Sequence, residues 1–204
     1  MRTLVIDSAT EACSAAVFEQ GELVAGDYAV IGRGHAERLV PMVASLPDKG
    51  RADRILISLG PGSFTGVRIG LAAARALGLA WGVEVLGYPT LALVAAMARH
   101  DHPGPVTVCM TGGHGEWFVQ DFEADGLPEA DIRSLPPAQA AHDLRHGVTA
   151  GSQAQALKAL HGSPELIALD ILPDARRLPL LPEALLTPDL SPLYGRAPDA
   201  RLPT

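Results

Sequence analysis

Residues 55–81 read ILISLGPGSFTGVRIGLAAARALGLAW. The first five residues form a short apolar run that predicts a buried β-strand. The glycine-rich loop Gly60–Gly66 follows, and an apolar segment then continues to Trp81 over a length typical of a helix. We expect Ser63 or Thr65 to cap this helix, because a hydroxyl oxygen accepts a hydrogen bond from a free N–H of the first turn. The stretch predicts a strand, a tight loop and a helix, a unit of α/β folds.

The loop suits either close packing or anion binding. Glycines let the backbone approach a neighbour closely, and the free amides at a helix N-terminus can hold a phosphate. The Walker ending Gly-Lys-Ser/Thr is missing, because Gly66 is followed by Val67 and Arg68. Packing is therefore the favoured interpretation. The alternative is a nucleotide site, whose candidate residues are Asp7, Ser8, Gly60, Gly62, Ser63 and Thr65.

The helix that follows the loop is apolar nearly all round. One stripe consists of Val67, Leu71, Ala74, Leu77, Gly78 and Trp81. Small residues such as Gly70 make up most of the rest, and Arg68 and Arg75 are the charged residues. Such a helix must be buried on nearly all sides, either by its own lobe or by a second chain. We favour an interface with a partner over simple core burial.

The rest of the first half alternates strands and helices. Its patterns predict strands at Thr3–Ile6, Cys13–Phe18, Glu22–Val30 and Val83–Leu86, and helices at His35–Leu46 and Leu91–His100. In the helix from His35, the apolar residues Leu39, Met42 and Val43 recur at helical spacing. This order is typical of a mixed sheet with helices packed on it.

The best linker in the chain is Asp101 to Pro105, which contains two prolines and a glycine. We therefore predict two α/β lobes, residues 1–102 and 103–204. The second lobe is predicted to contain strands at Val106–Met110, Glu116–Phe122 and about Leu166–Ile171, and helices at about Ala138–His146 and Ala154–Leu160. Little regular structure is expected in the tail from Pro192.

Composition narrows the class of protein. The chain has 204 residues, of which 48% are hydrophobic, so it can bury a sizeable core. Its net charge of −7 and the lack of a basic stripe argue against gripping nucleic acid alone. Cys13 and Cys109 lie in apolar strands and are expected to be free thiols. With no charged leader and no apolar segment of membrane-spanning length, we expect a cytoplasmic protein.

We find no set of residues that predicts catalysis or metal binding. His142 and His146 are one helical turn apart, but they stand in a polar stretch without a third ligand. A solvated helix face is the better interpretation. Near Asp7 no histidine is placed to activate the Cys13 thiol.

Three blocks of sequence resemble the TsaB family, also called YeaZ. They are Val5–Ser14 (VIDSATEACS), Arg33–Met42 (RGHAERLVPM) and Gly60–Leu71 (GPGSFTGVRIGL), in the family's order over roughly residues 1–98. The tail Leu193–Asp199 also resembles the family's ending. The second lobe matches mainly by length and strand order. Met110–Trp117 departs from the family, since relatives carry an acidic, arginine-containing strand end there.

The resemblance implies a two-lobed actin-like, ribonuclease-H-like fold. It also implies assembly with the catalytic subunit TsaD and the ATPase TsaE, which together place threonylcarbamoyl groups on tRNA. The chain would contact tRNA only indirectly and form a homodimer when TsaD is absent. It would carry no cofactor of its own, with ATP or ADP at the junction of subunits.

The resemblance also implies which residues meet the partner. In the family, the helices matching His35–Leu46 and Thr65–Trp81 pack against TsaD. The implied contacts are His35, Leu39, Met42, Val43, Val67, Gly70, Leu71, Ala74, Leu77, Gly78 and Trp81. The paralogue TsaD has a metal-binding His-x-x-x-His where this chain reads Gly87–Leu93 without histidine. We therefore expect a non-catalytic subunit without a metal site. The alternative is an independent actin-like ATP-binding enzyme, with Asp7 holding magnesium and Gly60–Gly66 touching phosphate.

Overall fold

Two mixed five-stranded sheets form the frame of the molecule. The structure is a computed structural model and describes residues 1–195. The strands are β1 Arg2–Asp7, β2 Ala12–Glu19, β3 Glu22–Val30, β4 Arg54–Ser58, β5 Glu84–Tyr88, β6 Val106–Thr111, β7 Trp117–Phe122, β8 Arg133–Leu135, β9 Val148–Ala150 and β10 Ile167–Leu169. The helices are α1 His35–Ser45, α2 Phe64–Trp81, α3 Thr90–Asp101, α4 Pro137–His142 and α5 Ala154–His161. Short 3₁₀ turns occupy Pro47–Gly50, Ala175–Leu180 and Glu183–Leu185.

The two sheets share one topology. The first has the order β3-β2-β1-β4-β5 and the second β8-β7-β6-β9-β10. In the first, β1, β2 and β3 are antiparallel neighbours, whereas β1, β4 and β5 run parallel. In the second, β6, β7 and β8 are antiparallel and β6, β9 and β10 parallel. Each lobe is therefore built on the same plan.

Alternation along the strands assigns the two faces of the first sheet. Leu4 and Ile6 of β1 point into a core shared with α1 and α2. Val5 points to the other face, into a core shared with α3 and the second sheet. Because β1 is covered on both faces, its sequence is a continuous apolar run. The helix α3 thus lies in the core between the two sheets.

Local signals in the sequence define the ends of several elements. The β2–β3 hairpin turns at Gln20 and Gly21, whose φ values of 51° and 88° suit a tight hairpin turn. The side chain of Ser63 accepts a hydrogen bond from the Gly66 N–H, as predicted for a cap of α2. Gly82, with φ 68°, ends α2 in the left-handed conformation that glycine adopts without strain.

The last described segment returns to the first lobe. Thr187 and Gly87 exchange backbone hydrogen bonds of 2.7 and 3.0 Å, and the Leu193 N–H donates to the Leu59 carbonyl at 2.8 Å. We call residues 187–195 the strap. Residues 101–105 connect α3 to β6 and thereby join the two sheets. The predicted second lobe, residues 103–204, includes the strap, but the strap lies beside the first lobe. Residues 196–204, which include part of the predicted tail, lie outside the described residues.

The second lobe was predicted less accurately than the first. α4 ends at His142 instead of His146, and the last strand covers only Ile167–Leu169. The short strands β8 and β9 were missed, because three residues do not reveal a period. Within residues 1–195, every helix is too short or too polar to cross a membrane.

Candidate functional site

The glycine-rich loop packs α2 against the turn that follows β1. A side chain at Gly62 would collide with the Ala9 carbonyl, and one at Gly66 with the Ser8 carbonyl. The Ser63 N–H donates to the Ala9 carbonyl at 2.6 Å, and the Ser8 hydroxyl donates to the Gly66 carbonyl at 3.0 Å. The glycines are therefore required for close approach of two backbones, which is the favoured interpretation of the loop.

Asp7 lies beneath this turn and is only 1% exposed. Its Oδ1 accepts from the Ala9 N–H at 3.0 Å, and its Oδ2 accepts from the Tyr88 hydroxyl at 3.1 Å. Burial raises the pKa of this carboxyl from 3.8 to about 6, against the opposing effect of these hydrogen bonds. The carboxylate is enclosed and its oxygens are committed to the protein, so it does not face a nucleotide. This position does not favour the expectation that Asp7 holds magnesium.

The other candidate nucleotide residues are scattered. Gly62 and Ser63 line a cleft of about 720 Å³. Ser8 is buried under α2, and Gly60 faces the strap, where an added side chain would meet the Leu193 carbonyl. Thr65 is exposed on the first turn of α2 and is not part of the cleft wall. The structure thus brings two of the six residues together.

The cleft lies between the lobes and has walls from both. The first lobe contributes the turn after β1 and the start of α2, and the second lobe contributes the loop Thr111–His114. The strap closes one side with Leu193, Tyr194 and Gly195. Gly195 packs against the ring of Phe118.

Three exposed side chains form a cluster at the edge of the cleft. The guanidinium carbon of Arg68 lies 3.3 Å from the ring centroid of Phe64. Its Nη2 donates to the Tyr194 hydroxyl at 3.0 Å, and the two rings are 6.3 Å apart between centroids. Sequence analysis missed this cluster, because Tyr194 is 126 residues from Arg68 and only the return of the strap brings them together.

The stripe of α2 that was predicted to meet a partner faces the first lobe instead. Val67, Gly70, Leu71, Ala74 and Gly78 are buried in the core of that lobe. Leu77 and Trp81 are half-buried and pack against the same core. A partner has no access to the five buried residues while the lobe is folded in this way, so this part of the predicted surface is corrected.

The opposite face of α2 is the exposed one. Its exposed residues are Phe64, Thr65, Arg68, Ala72, Arg75, Ala76, Leu79 and Ala80. Leu79 is 87% exposed and Phe64 is 60% exposed. The Arg75 guanidinium reaches to the strap and donates to the Leu190 carbonyl at 3.0 Å. The exposed surface of α2 consists mainly of small apolar side chains, with Arg68 and Arg75 along one border.

The same reversal holds for α1. The predicted contacts His35, Leu39, Met42 and Val43 are all buried, and the His35 ring lies 3.3 Å from the Ala12 carbonyl. The exposed side carries the apolar residues Val40, Pro41 and Ala44. α1 and α2 are in contact with each other. We give the name docking face, after the role proposed below, to the exposed apolar residues of the two helices: Val40, Pro41, Ala44, Ala72, Ala76, Leu79 and Ala80.

The two thiols are buried, and the histidines at helical spacing, His142 and His146, contact different carboxylates. Burial raises the pKa of Cys13 to about 11 and that of Cys109 to about 12, so both are protonated at neutral pH. His142 is exposed beside Asp143, whereas His146 lies 2.6 Å from Glu129. Across residues 1–195, no three His, Cys, Asp or Glu residues are grouped as metal ligands.

Among known proteins, a matching family model and a named relative both belong to threonylcarbamoyladenosine biosynthesis. Residues 29–129 match the family model described as TsaD: tRNA N6-adenosine threonylcarbamoyltransferase. An uncharacterized protein of Mycobacterium tuberculosis is 33% identical, over 97% of this chain and 93% of that protein. The tRNA threonylcarbamoyladenosine biosynthesis protein TsaB of Escherichia coli is 35% identical, over 61% of this chain and 56% of that protein.

Solved structures support the same relationship. YeaZ from Pseudomonas aeruginosa superimposes with a TM-score of 0.77 at 27% identity, covering 95% of this chain and 99% of that chain. The similarity extends over both lobes, including the second lobe whose sequence signature is weak. The expected two-lobed actin-like fold is therefore confirmed.

Proposed function

Because the chain belongs to the TsaB family, also called YeaZ, we propose that it is a non-catalytic subunit of the machinery that makes threonylcarbamoyladenosine in tRNA. It docks through α1 and α2 on a catalytic TsaD subunit. Support comes from the E. coli relative, whose name assigns it to this biosynthesis. The family model described as TsaD matches residues 29–129, a range that includes both helices.

The observation that carries the proposal is the apolar docking face. Leu79 projects almost fully into solvent, and its exposed neighbours on α2 are Ala76, Ala80 and, one turn before it, Arg75. An isolated protein gains nothing from exposing such a surface, whereas a partner helix gains both apolar burial and close approach across small residues. Val40 on α1, which is 62% exposed, is a further exposed apolar residue of this set. A second helical pair is the partner that fits this geometry.

The non-catalytic role has support in the chemistry of the side chains. Both thiols are buried and protonated. Asp7, the carboxylate with the most strongly raised pKa, bonds Tyr88 and a backbone amide rather than facing solvent. These groups are enclosed in the protein and are not paired as a nucleophile with its base.

The wider assembly follows from the same proposal. TsaE would join the pair, and ATP or ADP would bind at the junction of subunits and not to this chain alone. Without TsaD, the docking face would pair two copies of the chain. Contact with tRNA would be made mainly by TsaD, since the present chain carries a net charge of −7.

A charge on the docking face tests the proposal. We expect Leu79→Glu to abolish co-elution with TsaD in size-exclusion chromatography with light scattering, because the carboxylate would have to be buried against apolar atoms. Its circular dichroism and melting temperature should stay close to those of the unmodified chain. Leu160→Glu, at a 55% exposed leucine of α5 in the second lobe, is the matched control and should leave the complex intact. A complex of unchanged affinity with Leu79→Glu contradicts docking through α2.

The alternative, an independent ATP-binding enzyme, makes an opposite prediction. It requires the isolated chain to bind ATP with magnesium and to lose that binding in Asp7→Ala. The enclosed position of Asp7 favours the subunit over the enzyme. Isothermal titration calorimetry of the isolated chain separates the two, and micromolar binding that depends on Asp7 would replace the present proposal.

A further inference from the structure

The cleft between the lobes has the size and lining of a ligand site. Its volume of about 720 Å³ falls within the roughly 300–1,000 Å³ of small-molecule sites. Its apolar lining includes Pro61, Phe64, Met110, Phe118, Leu193 and Tyr194. Both lobes and the strap contribute walls, so a bound ligand would bridge all three parts of the molecule.

The cleft contains one guanidinium, that of Arg68. Arg68 stacks on Phe64 and donates to the Tyr194 hydroxyl, but among residues 1–195 it forms no ion pair. An arginine held flat on an aromatic ring is ordered before any ligand arrives, which lowers the entropic cost of an anion contact. Its remaining N–H groups are suited to a carboxylate or another planar anion.

The aromatic rings beside Arg68 favour a planar ligand. Phe64 is 60% exposed and Tyr194 is 54% exposed, and their planes are tilted by 34°. Exposed ring faces at the edge of an apolar cleft gain by stacking against a third ring. Thr10, Ser63 and Thr111 also line the cleft, and their hydroxyls take part in hydrogen bonds within the protein.

The charges of the cleft limit the ligand to low negative charge. Glu11 also lines the cleft, so its carboxylate repels a polyanion. Among the described residues that line the cleft, Arg68 is the one arginine and there is no lysine. Asp7 is enclosed and is therefore not available to hold a magnesium ion on a triphosphate. This combination differs from a nucleoside triphosphate site and suits a single anionic group.

We propose that the cleft binds a small aromatic monoanion, with its anionic group on Arg68 and its ring against Phe64 and Tyr194. This site is separate from the docking face and does not depend on TsaD. Because Phe64 and Arg68 also belong to α2, the ligand would tie the strap and the second lobe to the helix that carries the docking face.

Fluorescence titration of the isolated full-length chain with 8-anilinonaphthalene-1-sulfonate tests the proposal. Indole-3-acetate, an aromatic carboxylate, then serves as the competitor and is measured directly by calorimetry. We expect Arg68→Gln to weaken both probes about tenfold, as for loss of a hydrogen bond to a charged group. Phe64→Leu keeps an apolar side chain but removes the ring, and it should weaken indole-3-acetate by a smaller factor.

Arg75→Gln is the matched control. Arg75 lies two turns further along the same face of α2 and also bonds the strap, but it does not line the cleft. Its variant should bind both probes as the unmodified chain does, so a loss that is specific to Arg68→Gln cannot come from loosening the strap. Tyr194→Phe removes the bond to Arg68 while keeping the ring, and should retain most of the binding.

Three results would overturn the site. They are equal weakening in Arg68→Gln and Arg75→Gln, displacement of neither probe by the other, and tighter binding of magnesium-ATP than of indole-3-acetate. Melting curves show whether each variant is folded. If Arg68→Gln is not folded, the more conservative Arg68→Lys takes its place. The TsaD co-elution assay is independent of these titrations, so failure of one proposal is distinguishable from failure of the other.

Discussion

The two faces of α2 are both rich in apolar residues, but one is buried and the other is exposed. The inner face carries Leu71 and Gly78 and is sealed in the core, whereas the outer face carries Leu79 and Ala72 and meets solvent. Apolar residues alone do not distinguish the two faces, because leucine and alanine occur on both. What differs is steric: glycines are on the inner face, where α2 touches β1, β4 and β5. On this helix, glycine marks the packed side, and the exposed leucine marks the side that we propose for a partner.

Charge substitutions should separate the two faces most strongly. Leu71 is 3% exposed, so Leu71→Glu places a carboxylate in the core and should lower the free energy of unfolding by roughly 4 kcal/mol or more. Leu79→Glu, on the outer face, should change it by no more than about 0.5 kcal/mol. Urea denaturation followed by circular dichroism measures both. Similar losses in the two variants would mean that the outer face is also packed.

The inner face of α2 packs on the turn that follows Asp7. Titration of the Asp7 carboxyl should give the next largest change in the free energy of unfolding. Its pKa is about 6 in the folded chain and 3.8 for an ordinary aspartate, so the folded state binds the proton more tightly. The resulting stability is fully present below about pH 4 and is lost as the pH rises through about 6. Linkage limits this loss to about 3 kcal/mol.

Asp7→Asn should remove that pH dependence. Asparagine still accepts from the Ala9 N–H and has an amide to offer to Tyr88, so the turn is retained. The difference in unfolding free energy between the variant and the unmodified chain, measured by urea denaturation at intervals from pH 4 to pH 7, should move in favour of the variant. A difference that stays constant with pH would show that Asp7 titrates normally and is not enclosed beneath α2.

The sequence predicted the existence of α2 and its loop but not its orientation. The strand, the glycine loop and the Ser63 cap follow from local rules, and each is present. Orientation depends on what packs against the helix, and an apolar pattern without a polar side contains no such information. The role of Asp7 was missed for a related reason: its partner Tyr88 is 81 residues away, in a strand not adjacent to β1.

The cluster of Phe64, Arg68 and Tyr194 could not be predicted from the sequence, because its members are also brought together only by the fold. Phe64 and Arg68 are four residues apart on α2, which is ordinary helical spacing, and Tyr194 lies in a proline-rich tail without a pattern. The second lobe suffers from short elements instead, since β8 and β9 have three residues each. Local pattern reveals elements longer than about two periods, whereas sites assembled by chain return require the fold.

The smallest predicted effect reverses the usual sign of a helix substitution. Replacing glycine by alanine inside a helix ordinarily stabilises it by about 1 kcal/mol. At Gly66 the new methyl group would collide with the Ser8 carbonyl, a backbone atom fixed in the turn, so Gly66→Ala should destabilise the chain by about 1–3 kcal/mol. Ala76→Gly on the outer face meets no such contact and should cost about 1 kcal/mol from propensity alone.

Thermal and urea unfolding of the two variants decide whether close packing explains the glycine. Gly66→Ala should also leave the docking face intact, so co-elution with TsaD should persist at a temperature where the variant is folded. A Gly66→Ala chain that is more stable than the unmodified one would remove the steric account of the loop. The interpretation of the loop amides as an anion site would then be favoured. A glycine that lowers stability and is not needed for packing is more easily explained by a ligand that approaches the backbone.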